Sequence, residues 1–138
     1  KFILYIYLQG RFVMNKEDRM LLVQDIMSRI PYNVKFYLDG MMGSTHHVYC
    51  RPRYVGNNID DYICELDFFN DGNFIDIEHF KPILYPMLSM TEEQRKEYLD
   101  LLYIAPAKGI DYLNKHMFDY RGLIPKELAK DASKLNTY

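Results

Sequence analysis

Apolar residues recur along this chain in two rhythms, one of helical period and one of strict alternation. Met20, Val23, Ile26, Met27 and Ile30 fall at helical spacing, which predicts an amphipathic helix over about Lys16–Ile30. Asn15 is the expected cap. Asp18, three residues on, stands in for the usual capping-box partner. Pro31 marks the stop, because the residue before a proline is pushed out of the helical region.

The rhythm then shortens to two. Val34, Phe36 and Leu38 alternate with Lys35, Tyr37 and Asp39. Val48, Cys50 and Tyr54 alternate with His47, Tyr49, Arg51 and Arg53, and Pro52 restricts that strand to an edge or a bulge. Tyr62, Cys64, Leu66 and Phe68 alternate with Ile63, Glu65 and Asp67. Ile75 and Ile77 alternate with Phe74, Asp76 and Glu78. Turn residues lie between the runs at Gly40–Gly43, Gly56-Asn57-Asn58 and Asn70-Asp71-Gly72-Asn73, the last holding an Asp-Gly hairpin signal. This is the pattern of a four-stranded antiparallel meander with one face buried.

Past Pro82 and Pro86 the period lengthens again. Ser89 and Glu92 read as a capping box, followed by an apolar face of Tyr98, Leu99, Leu101 and Leu102 that ends before Pro106. A shorter helix from Lys108 to about Met117 presents Ile110, Leu113 and Met117, and Pro125 opens a last turn through Lys130. The order of helix, meander and helices predicts an α+β fold. An N-terminal helix leading into a bent meander is also the order of Sm-like and SH3-like small barrels, so a partly open barrel is one expected form of the sheet. Residues 1–13 are expected to be an N-terminal extension and 14–138 a single α+β domain. The apolar run Phe2–Leu8 is too short to span a bilayer and lacks a small-residue cleavage site after it.

Composition narrows the function classes. The net charge of −2 and pI near 6.1 argue against a chain-wide basic footprint for nucleic acid, although a local strip remains open. Thirteen tyrosines without a tryptophan suit half-buried sheet positions and recognition surfaces alike. The two cysteines, Cys50 and Cys64, lie outside any CxxC arrangement and are expected to be reduced structural thiols of a cytoplasmic protein.

Three stretches carry a family resemblance: Met14-Asn-Lys-Glu-Asp-Arg-Met-Leu-Leu, then Phe80-Lys-Pro-Ile-Leu-Tyr-Pro-Met-Leu-Ser-Met-Thr-Glu-Glu, and the tail Tyr112–Ile124 with Asp119-Tyr120-Arg121-Gly122-Leu123-Ile124. The chain resembles a family of small proteins of gut anaerobic bacteria and their phages. The resemblance implies a start at Met14 and supports the fold reading. It implies no activity.

Four constellations could carry chemistry. Asp67, Asp71, Gly72 and Glu78 match positions 1, 5, 6 and 12 of a calcium loop, but Phe69 stands at position 3 and a strand enters instead of a helix. His46, His47, Cys50, Cys64 and His79 include zinc-ligand types, yet both cysteines fall on the apolar side of their strands. The strip His47, Tyr49, Arg51 and Arg53 interleaves cations with an aromatic, as phosphate and base contacts require. Glu65 and Asp67 on the adjoining strand are expected to pair across with its arginines. Tyr120 and Arg121 form a second candidate binding element in a glycine turn. No catalytic residue, metal site or cofactor is expected. The reading is a non-catalytic protein-interaction module, binding a protein partner or itself and not a membrane. The alternative is a small-barrel nucleic-acid-binding module, and a metal-dependent enzyme comes third.

Overall fold

A computed structural model describes residues 14–45 and 47–135. The proposed extension 1–13 and His46 lie outside the described residues. The elements are α1 (Lys16–Arg29), β1 (Lys35–Leu38), β2 (Met41–Ser44), β3 (Val48–Val55), β4 (Asn58–Leu66), β5 (Ile75–Asp76) and β6 (Lys81–Pro86). After them come α2 (Glu92–Ile104), α3 (Pro106–Lys115), β7 (Phe118–Asp119), β8 (Lys130–Asp131) and α4 (Ala132–Leu135). The fold is α+β with an N-terminal helix, as the pattern predicts.

Helix α1 begins where the sequence places it. Asn15 Oδ1 accepts the Asp18 N–H at 2.8 Å, and a 3₁₀ turn at Ile30–Tyr32 ends the helix through Asn33 in the left-handed region. Its buried face overlaps the predicted stripe only in part, at Ile26 with Val23 and Ile30 packed beside it. Arg19, Leu22, Asp25, Ile26 and Arg29 are buried, whereas Met27 is 46% exposed. The apolar pattern alone points to a rotated face, because three of the inward positions are charged.

Those charges are satisfied inside. Arg29 donates from Nε and Nη2 to the two oxygens of Asp25, both at 3.0 Å, and both residues are fully excluded from solvent. It also donates to the carbonyls of Phe118 at 2.7 Å and Leu113 at 3.3 Å. Arg121 adds a third charge, donating to Asp25 Oδ1 at 2.9 Å and Ser28 Oγ at 3.0 Å.

The antiparallel run splits into two sheets and does not close into a barrel. One holds β3-β4-β5 in antiparallel order, and the other runs β2-β1-β6-β7, with β8 also on β6. Strand β2 occupies residues expected as a turn. The turn is tighter: Asp39 and Gly40, both at positive φ, join β1 to β2 with Leu38 opposite Met41. This is the two-residue Asp-Gly hairpin. The Asp71-Gly72 pair instead sits in a longer loop between β4 and β5.

Strand β6 was hidden in the sequence by Pro82 and Pro86. It pairs antiparallel with β1 at Lys81 and Pro82, then parallel with β8 at Ile83 and Leu84, and with β7 at Tyr85 and Pro86. The main core gathers Leu22, Ile26, Phe36, Leu38, Leu66, Ile77, Phe80, Leu84 and Leu123 around it. A smaller cluster of Tyr112, Leu113 and Phe118 seats the α2–α3 hairpin.

Helix α2 is capped two residues later than expected. Thr91 Oγ1 accepts the Gln94 N–H at 3.1 Å, and Gln94 Oε1 accepts the Thr91 N–H at 2.9 Å, completing a capping box. Ser89 closes the preceding 3₁₀ turn, donating to the Pro86 carbonyl at 2.6 Å. No residue of α2 is buried. It leans on α3 at Gly109, where an added Cβ would come within 2.9 Å of Leu102 Cδ1. No helix among the described residues is long and apolar enough to cross a membrane.

Two substitutions test this account by denaturant unfolding. Arg29→Met leaves Asp25 with only the partly exposed Arg121 and is expected to destabilise by about 3–5 kcal/mol. Thr91→Ala is expected to remove about 1 kcal/mol through the lost cap.

Candidate recognition surface on strand β3

Strand β3 lies at the end of its sheet and, among the described residues, has β4 as its one strand neighbour. The ladder fixes which groups face outward. His47 C=O accepts the Asp67 N–H at 3.1 Å, so the odd-numbered residues bond to β4. Cys50 and Cys64, with Cα atoms 4.2 Å apart, form a narrow, non-hydrogen-bonded pair. The backbone groups of Val48, Cys50 and Pro52 therefore point toward the edge. Pro52 has no N–H to offer there, and the register shifts in a bulge between Arg53 and Tyr54, as the edge-or-bulge expectation required.

The side chains of Tyr49, Arg51 and Arg53 form one row on the outer face. Arg51 and Arg53 are exposed, Tyr49 is 53% exposed, and Tyr54 beyond the bulge is 61% exposed. The Tyr49 ring meets Phe74 edge-on at 6.3 Å between centroids. His47, at the start of the row, is also exposed. The strip read from alternation is thus presented as a strip.

What the alternation did not reveal is the charge beside it. Glu65, opposite Tyr49, and Asp76, opposite Glu65, share this face. Arg19 reaches in from α1, donating to Asp76 at 2.8 and 3.2 Å, to Glu78 at 3.0 Å and to the Tyr62 carbonyl at 3.1 Å. That guanidinium occupies the side of β4 beyond the short β5. The only sequence signal for it was the 3-4-3 spacing of Arg19, Leu22, Ile26 and Arg29.

Burial pushes the Glu65 carboxyl above the usual 4.5, and Asp76 adds to the rise, against the attraction of Arg51 and Arg19. Glu78 is raised for the same two reasons, against Arg19 and Arg53, so its ion pair does not outweigh its desolvation. Arg51 and Arg53 are therefore near enough to act on these acids. Among the side chains described, no carboxylate comes within 4.0 Å of either arginine. The expected cross-strand pairing with Asp67 does not form. Asp67 is buried and accepts the Asp71 and Gly72 N–H groups, both at 3.1 Å, with its Oδ2 3.9 Å from His47 Nδ1.

The same two bonds show what the calcium-like loop is: an aspartate tying a turn that follows a strand. The cysteines also depart from expectation. Cys50 and Cys64 are joined in a disulfide, so they are not reduced thiols. Cys50 is exposed although it alternates with the polar row. Among the described residues, no group of three or more His, Cys, Asp or Glu side chains converges as a metal site would.

Tyr120 and Arg121 belong to the other end of α1. The Tyr120 hydroxyl donates to Asn114 Oδ1 at 2.9 Å, and its ring lies under the guanidinium groups of Arg121 at 4.5 Å and Arg29 at 5.4 Å. Asp119 accepts the Leu123 and Ile124 N–H groups at 2.8 Å each, forming the turn, with Gly122 at positive φ. The ten residues from Arg19 to Arg29 correspond to about 15 Å along a helix, so the two candidate sets do not share one surface.

No protein-family model matches the chain, and neither a curated protein nor a solved structure shows significant similarity to it.

The electrostatics give a pH dependence. A raised carboxylate binds its proton more tightly when folded, so its contribution to stability is full below pH 4.5 and is lost as pH rises through the folded value. Glu65→Gln is expected to flatten the fall in unfolding free energy above pH 4.5, measured by urea titration at several pH values. An unchanged slope would contradict the assignment to Glu65.

Proposed function

We propose that this chain is a small, non-catalytic accessory protein that binds another protein through the outer face of β3. One observation carries the reading: Tyr49, Arg51 and Arg53 stand exposed in a row on an edge strand, with Glu65, Asp76 and Glu78 set among them. Tyrosine gives contact area at low entropic cost, and arginine is the cation most used in interfaces. Interleaved charges of both signs suit a protein partner of complementary pattern. A phosphate backbone laid along the same row would meet the three carboxylates as well as the arginines.

The run of cations around an aromatic favours one other reading, a single-stranded nucleic-acid surface. Work in the cytoplasm accords with either reading provided that the Cys50–Cys64 bond is one that a reducing compartment opens.

Placing a photo-crosslinking amino acid at Tyr49, and separately at the exposed Lys96 of α2, tests the proposal in source cells. A discrete protein adduct is expected from position 49, absent from position 96, and reduced at least tenfold by Arg51→Glu with Arg53→Glu. An adduct of twice the chain mass would make the partner a second copy. Labelled single-stranded RNA or DNA bound with steep salt dependence, and lost in the same double variant, would transfer the surface to the nucleic-acid reading.

A further inference from the structure

The Cys50–Cys64 disulfide joins residues directly opposite each other and 14 apart in sequence. That segment is already closed by the turn at Gly56-Asn57 and by ladder pairs on both sides of the bridge. A cross-link stabilises chiefly by removing freedom from the unfolded chain, and the effect grows with the length of the loop it closes, which is short here. Its contribution to the fold as a whole is therefore at the smaller end for a disulfide. Locally it matters more, because it ties the middle of an edge strand whose register slips between Arg53 and Tyr54.

The two sulfurs are unequally placed. Cys50 belongs to an exposed residue at the sheet edge, whereas Cys64 is 0% exposed among core side chains. Thiol–disulfide exchange begins with a thiolate reaching one sulfur, so access selects Cys50.

We propose that Cys50 Sγ is a site of thiol–disulfide exchange with dithiol reductants, and that opening the bond loosens β3. A reductant thiolate bonds to Cys50 Sγ while the Cys50–Cys64 bond breaks. The electron pair leaves on Cys64 Sγ, which takes up a proton. The reductant's second thiol loses its proton and attacks its own sulfur in the mixed disulfide, releasing Cys50 as a thiolate that is then protonated. Two electrons and two protons pass in all: the protein gains two thiols and the dithiol becomes a disulfide. The leaving Cys64 sulfur sits among hydrocarbon, where a thiolate is disfavoured, so exchange proceeds as the hairpin opens locally.

A role for this chemistry in binding rests on the reading of β3 given above. The exchange itself is measured without any partner, so the two claims fail separately. The oxidised full chain is treated with dithiothreitol or with the monothiol glutathione, without denaturant, then alkylated and mapped by mass spectrometry. Dithiothreitol is expected to yield two alkylatable thiols. Glutathione is expected to give one adduct, on Cys50. Amide exchange of Tyr49 and Arg51 should rise at least fivefold on reduction, while amides of α1 and β6 keep their protection. Cys50→Ser with Cys64→Ser should show the same loosened β3.

The proposal is overturned by reduction that needs denaturant, by an adduct on Cys64, or by β3 amides whose protection does not change. Loss of protection throughout the molecule would overturn it as well, since the bond would then be holding the fold.

Discussion

The buried ion cluster of Asp25, Arg29 and Arg121 is the constraint on which the arrangement of the rest depends. Two fully enclosed charges must be desolvated, and they persist in a core only with close geometry and further hydrogen bonds. Arg29 finds those bonds on the carbonyls of Leu113 and Phe118, one near the end of α3 and the other in β7. The aspartate finds them on Arg29 and Arg121. An apolar trio of similar volume would tolerate several rotations of α1. The guanidinium donors are satisfied in one, and that orientation also brings Arg19 to the edge of β4.

That dependence explains what was legible in the sequence. The start and end of α1, the strand pattern from Val48 to Leu66 and the break at Pro106 all follow from local chemistry, and each stands near its expected place. The inward face of α1 did not, because a buried charge looks like a surface residue until its partner is known. Strand β6 carries two prolines and borrows its neighbours from distant stretches, so no short-range signal marks it. Strands β7 and β8, two residues each, have no period to detect. Two Asp-Gly pairs carry the same local signal, yet Asp39-Gly40 makes the tight hairpin and Asp71-Gly72 lies in a loop tied by Asp67.

The candidate surface divides in the same way. Its row on β3 came from alternation alone, since Tyr49, Arg51 and Arg53 sit on one strand. The carboxylates arrive from β4, β5 and the 3₁₀ turn after it, and Arg19 from α1, so their meeting is a product of tertiary structure. The Asp119–Ile124 segment, the most distinctive stretch of the sequence, resolves mainly into a turn and a brace for the buried cluster. A motif conspicuous in sequence is conspicuous here because so many of its atoms have assigned partners.

The spacing of those partners bears on how the protein emerges during synthesis. Asp25 and Arg29 meet within α1, but Phe118 and Arg121, which complete the cluster, lie some ninety positions later. Strand β6 likewise waits for Lys130 and Asp131. A nascent chain truncated before Phe118 holds the Asp25–Arg29 pair without the Phe118 carbonyl and the Arg121 guanidinium that complete it. Productive collapse around the pair is thereby deferred until the distal segment has left the exit tunnel.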